Sequence, residues 1–142
     1  MPDVQLDVGV RHLERLGVGV AGDELHAGQA GVDHPVDRVQ AGAADSGDAN
    51  APVTVVEFTD FQCSACGAMY PVIEEVLKSY GNRVYFEVRH FPLSSIHENA
   101  FEAAQAAAAA NAQGKFWPYI DLLFKNQKSL DIESLKKFAT QA

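Results

Sequence analysis

Up to residue 50 the chain has no aromatic residue, no lysine, no isoleucine and no cysteine; all of these lie beyond that point. The same stretch holds eight of the eleven glycines, with nine acidic residues against three basic ones. A segment so composed buries too little apolar surface to offset the entropy of ordering its backbone. Residues 1–50 are therefore expected to be a mostly disordered, non-catalytic leader. Val4, Leu6, Val8 and Val10 alternate with period two, which predicts one short strand within it. The composition also suits GC-rich coding sequence read in an unselected frame or from a misplaced start. That hypothesis is tested by a mass spectrum of the natural N-terminus.

Other absences narrow the function. No apolar run reaches the roughly 20 residues that cross a bilayer, so no membrane span is expected. The N-terminus lacks the charged start, apolar middle and small-residue cleavage site of a secretory signal. A net charge of −8 argues against nucleic acid and anionic lipid surfaces as partners. His12, His26 and His34 have no ligand spacing and read as solvated side chains; no metal and no cofactor is implied. The 2 cysteines are too few for a disulfide framework.

Those two cysteines are nevertheless the most informative residues present. Cys63-Ser64-Ala65-Cys66 follows the β-branched run Val53–Thr59 and opens an amphipathic helix pattern. A sulfur at a helix start lies beside unpaired N–H groups, and these with the helix dipole favour thiolate, the nucleophile of disulfide exchange. A strand running into Cys-x-x-Cys and then a helix reads as a thioredoxin-like redox site. Half a zinc site would need more ligands, and His90 and His97 do not supply the spacing. Two merely structural cysteines would not need so particular a context.

Around the motif, Asn50-Ala51-Pro52 closes the leader and a buried strand is expected at 53–59. The helix behind the cysteines places Met69, Ile73, Val76, Leu77 and Tyr80 on one face, with Pro71 kinking it and Gly81-Asn82 ending it. Val84–Phe91 alternates as a second strand, so strand, helix and strand form a parallel βαβ unit over 51–94. Residues 95–142 read as helical. Ser95 to Glu98 has capping-box spacing before an alanine-rich helix reaching Gln113. Phe116 to Phe124 form a second helix with Pro118 in its first turn, and Asp131 caps a third carrying Ile132, Leu135 and Phe138. The architecture is α/β. His90 reads as a strand-end residue and His97 as a member of a helix cap.

Taken together, Ala51–Phe61, Arg89-His90-Phe91-Pro92-Leu93 and Gln113-Gly114-Lys115-Phe116-Trp117 resemble the DsbA-like branch of the thioredoxin superfamily, from about residue 47 to 142. The resemblance implies a thioredoxin fold with a helical insertion and thiol–disulfide oxidoreductase activity on protein thiols, with a separate redox partner protein. It implies that Cys63 is the attacking cysteine, Cys66 the resolving one, and Glu57 the carboxylate beneath the active site. A carboxylate within an apolar strand is costly unless protonated or hydrogen-bonded, which itself favours a functional role for Glu57. Pro71 matches a helix-kinking proline. Ser64-Ala65 offers no basic side chain, so the Cys63 thiolate depends on the helix terminus.

The family's chain goes on to a β-hairpin, a cis-proline loop and a last helix. No proline follows Pro118 here, so a partial domain is expected, lacking that hairpin and helix, with an unpaired strand edge prone to self-association. The alternative reading is a non-catalytic fragment, truncated or completed by a partner. A third reading is a redox module tethered to a larger assembly, which a neighbouring membrane-protein reading frame would suggest. Relatives commonly work in the periplasm or cell envelope; with no signal in this chain, the cytoplasm stays open.

Overall fold

The computed structural model describes residues 44–142. The expected leader up to residue 43, the strand at Val4–Val10 and the three N-terminal histidines lie outside the described residues.

Strands β1 (Ala44–Ser46), β2 (Val53–Thr59) and β3 (Val84–His90) form one sheet in the order β1-β3-β2. Between β2 and β3 runs helix α1 (Ser64–Tyr80), and the two strands pair in parallel from Val53↔Val84 to Thr59↔His90. This is the βαβ unit the sequence predicts. β1 pairs antiparallel with β3, with Ala44 opposite Val88. It lies before the boundary expected at residue 50. Ala44-Asp45-Ser46 has no strand-forming pattern of its own; the free edge of β3 supplies its hydrogen bonds.

β3 is central and alternates cleanly: Val84, Phe86, Val88 and His90 are buried, while Tyr85, Glu87 and Arg89 are half-exposed. β2 differs from the buried strand expected. Val53, Val55, Val56 and Phe58 are all exposed, Phe58 by 56%, because β2 pairs along one edge only among the described residues. A strand with one neighbour has few side chains to lean on.

α1 continues through Pro71 and stops at Gly81, whose φ of 51° suits a residue without a Cβ. Its packing face agrees with the apolar spacing at Ile73 and Leu77 and departs from it at Met69, Val76 and Tyr80. Tyr70, Ile73 and Leu77 touch the core, while Met69 and Tyr80 are about half-exposed. The Tyr70 ring stacks on Phe124 at 4.6 Å, and that contact draws the seam to positions 70, 73 and 77.

Three helices cover the buried face of β3: α2 (Ala100–Ala112), α3 (Phe116–Lys125) and α4 (Ile132–Ala139). α2 begins after Asn99, and the capping box expected from Ser95 to Glu98 does not open it. Longer-range bonds hold that segment instead. Asp60 takes the Leu93 N–H and the His97 ring, and Gln62 takes the Asn99 N–H. Seven alanines of α2 are buried, and their small side chains admit Phe116, Tyr119, Ile120 and Leu123 of α3. α4 starts as predicted. The Asp131 carboxylate accepts the Glu133 and Ser134 N–H groups, and Leu135 and Phe138 are buried. The Tyr119 hydroxyl donates to the Leu135 carbonyl at 3.1 Å, tying α3 to α4.

Candidate active site

β2 delivers its C-terminal end directly to the two cysteines. Thr59, Asp60 and Phe61 are buried there, and the chain then turns outward so that Cys63 and Cys66 are half-exposed and Ser64 and Ala65 exposed. The turn is held by Asp60. One carboxylate oxygen accepts the Gln62 N–H at 2.8 Å; the other accepts the Leu93 N–H at 3.0 Å and meets His97 Nδ1 at 2.7 Å. The Asp60 carbonyl also accepts the Cys63 N–H at 3.1 Å.

Cys63 is the N-cap residue of α1, with extended backbone (φ −74°, ψ 122°) and no side-chain hydrogen bond closing the cap. Its sulfur therefore belongs to the turn whose N–H groups have no helical partner. The Cys63 carbonyl accepts the Gly67 N–H at 3.0 Å, the first bond of the helix. Both cysteines are thiols in this structure. Burial pushes the Cys66 thiol above its ordinary value and the adjacent Cys63 sulfur adds to the rise, against the opposing pull of the Asp60 backbone and the Thr59 hydroxyl.

Glu57 lies on the same side of β2 as Thr59, two residues along. Burial raises its carboxyl above the usual carboxylate range, and the Thr59 hydroxyl moderates the rise. The one hydroxyl therefore influences both Glu57 and Cys66, although it closes no conventional hydrogen bond with a described residue. Cys63 and Cys66 share the start of α1, and Glu57 lies six residues before Cys63 on the strand that leads into it.

His90 and His97 part company. His90 is wholly buried at the end of β3 against Phe61 and Phe116, and burial lowers its pKa to about 4, so the ring is neutral near pH 7. His97 is no helix cap; it is the partner of Asp60. No group of three His, Cys, Asp or Glu side chains among the described residues is placed to hold a metal ion. Nor is any helix among them long and apolar enough to cross a membrane.

Sequence reasoning gave no part to Asp60, Thr59, Gly67 or Gln127. Asp60 carried a signal, since an aspartate two residues before a main-chain N–H invites an Asx turn. Gln127 carried none. It reaches the site from the loop after α3, where its amide donates to the Phe61 and Cys63 carbonyls.

A family model described as Thioredoxin matches residues 41–142. The chain is 39% identical over 93 residues to a protein of Mycolicibacterium gilvum named Na(+)/H(+) antiporter NhaA 1, covering 66% of this chain and 15% of that protein. With a protein of Salinispora tropica named Na(+)/H(+) antiporter NhaA 3 it shares 44% over 93 residues, covering 66% of this chain and 14% of that one. With one of Herminiimonas arsenicoxydans named Na(+)/H(+) antiporter NhaA it shares 32% over 110 residues, covering 78% and 16%. The chain thus spans about 15% of the length of such relatives. No solved structure matches it.

Proposed function

The chain belongs to the thioredoxin family, and from that premise we propose that it is a DsbA-like thiol–disulfide oxidoreductase acting on protein thiols through Cys63 and Cys66. The observation that carries this reading is the placement of Cys63 at the open N-cap of α1 with Cys66 in the first turn behind it.

In the oxidising direction, a substrate thiolate attacks Cys63 Sγ of the Cys63–Cys66 disulfide. The sulfur–sulfur bond breaks, and Cys66 leaves with the electron pair and takes a proton. A second substrate thiolate attacks the substrate sulfur of the mixed disulfide, and Cys63 leaves as thiolate. Two electrons have passed from substrate to protein, and a partner protein carrying a disulfide takes them back by the same exchange. In the reducing direction the Cys63 thiolate attacks a substrate disulfide and releases one substrate thiolate. Cys66 then attacks Cys63 Sγ of the mixed disulfide, and the second substrate thiolate leaves as the Cys63–Cys66 bond forms. The Glu57 carboxylate, made more basic by burial, accepts the Cys66 proton.

The names of the relatives favour a more specific setting: a redox module working beside a membrane antiporter. We also assign the open edge of β2 to strand pairing with a second copy of this chain, since Val53, Val55, Val56 and Phe58 are exposed along it. Completion by a different partner is the non-catalytic alternative.

The test of the exchange chemistry is a trap. A Cys66→Ser variant incubated with a peptide disulfide should accumulate one mixed disulfide at Cys63, seen by mass spectrometry. A Cys63→Ser variant should accumulate none at neutral pH. Equal trapping at both cysteines would sink the oxidoreductase reading and leave a fragment that keeps only the motif.

A further inference from the structure

Gln127 stands 64 residues beyond Cys63 in sequence, yet its Nε2 donates to the Cys63 carbonyl at 2.7 Å and to the Phe61 carbonyl at 2.9 Å. The two carbonyls flank Gln62, so one amide grips the main chain on both sides of the residue that leads into the cysteines. The Cys63 carbonyl is then shared between this amide and the first helical bond from the Gly67 N–H.

Gly67 supplies an independent second observation. It lies in the first turn of α1 and is not among the glycines with positive φ, so its backbone conformation does not require glycine. Glycine within a helix is less favourable than alanine, because more backbone freedom is lost on folding. What the missing side chain makes room for is Gln127. A Cβ on Gly67 would stand 2.2 Å from Gln127 Oε1 and 2.6 Å from its Cδ. The helix start and the loop after α3 are fitted to one another at this amide.

We propose that Gln127 is a positioning residue for disulfide exchange, holding the Cys63 main chain so that its sulfur stays beside the free N–H groups at the start of α1. The inference rests on the exchange reading given above. Asp60 fixes the Cys63 N–H and Gln127 fixes the Cys63 carbonyl, so the attacking residue is anchored at both main-chain groups. A thiolate held against helix N–H groups is stabilised by them, and the dithiol state gains with it. Losing the two donors removes that advantage and tips the couple toward the disulfide.

The clamp has a signature that simple loss of packing lacks. An alanine at Gly67 forces the Gln127 amide aside, because the atoms it meets are the far end of a flexible side chain. Gly67→Ala and Gln127→Met therefore lose the same two hydrogen bonds, one from the helix and one from the loop. Each is expected to raise the fraction of disulfide in glutathione buffers about tenfold in equilibrium constant, as two ordinary hydrogen bonds to the dithiol state would. The double variant should match either single one.

The experiment uses the full chain, wild type and the three variants, equilibrated across glutathione ratios and read by mass spectrometry after alkylation. Unchanged equilibria in Gln127→Met while the wild type exchanges normally would overturn the proposal, and so would fully additive effects in the double variant. If Gln127→Met does not fold, Gly67→Ala displaces the same amide without touching the loop and decides the matter. A wild type that forms no disulfide at any ratio would fail the exchange reading. The positioning role falls with it, a failure distinct from unchanged equilibria in Gln127→Met beside a wild type that exchanges.

Discussion

The Asp60 carboxylate, all but excluded from solvent, meets His97 Nδ1 at 2.7 Å and accepts the Leu93 main-chain N–H with the same oxygen. Its other oxygen holds the Gln62 N–H. Removing a buried acceptor strands every donor aimed at it, which costs more than the bonds themselves contribute. Asp60→Ala is expected to lower stability by roughly 3 kcal/mol in urea unfolding, and His97→Ala by about 1 kcal/mol, since both main-chain bonds survive the second change. Equal losses would mean that the histidine, and not the two N–H groups, is what Asp60 holds.

Acid should unfold the chain through His90. Its folded pKa, near 4, lies below the ordinary 6.5, so the unfolded chain takes up a proton first as pH falls. The stability this neutral ring contributes is complete above pH 6.5 and is lost as pH drops toward 4, a loss of about 3 kcal/mol. His90→Phe should flatten that part of the stability profile measured by denaturant titration at fixed pH values.

Glu57 works in the opposite sense. Burial raises its carboxyl, so the folded chain keeps the proton longer and stability declines as pH rises from the ordinary value of 4.5 through the raised one. Glu57→Gln should remove this decline. In the proposed reaction it should slow attack by Cys66 on the mixed disulfide about tenfold more than it slows capture at Cys63, a split visible in stopped-flow kinetics. Equal slowing of both steps would deny Glu57 a role in moving the Cys66 proton.

Asp131 caps α4, accepting two main-chain N–H groups and the Ser134 hydroxyl, and those bonds hold its carboxyl below the usual range. Asp131→Ala should lower the melting temperature by about 5 °C, the ordinary scale for a lost N-cap in a domain of this size. An unchanged melting temperature would show that α4 is held by Leu135 and Phe138 alone.

The open edge of β2 predicts association. Sedimentation should show dimer formation rising with concentration, and Val56→Lys should abolish it by placing a charge on the pairing edge. A monomer at all concentrations would refute pairing between copies.

The βαβ unit was legible because its signals are local: a β-branched run, Cys-x-x-Cys, a helical repeat, then clean alternation in β3. Asp131 announced α4 for the same reason, since a cap bonds its own next turn. The errors have a shared cause. The cap expected at Ser95, the packing face of α1 and the burial of β2 were all decided by groups distant in sequence: Asp60, Phe124 and the number of strands beside β2. β1 was missed because its partner, not its composition, makes it a strand. At the site, the two cysteines were plain, whereas Gln127 is defined only by where the chain returns.

The alanines of α2 carry one last consequence. Ala103 and Ala107 are wholly buried, and Ala100, Ala104, Ala106, Ala109 and Ala110 nearly so. An alanine scan, the common map of which side chains matter, would pass along this helix and change almost nothing. This buried seam would come back blank, although any larger residue there would press on its neighbours. Residues that look interchangeable on paper are here the spacers that set how near the helices stand, and only substitution toward greater bulk would make them visible.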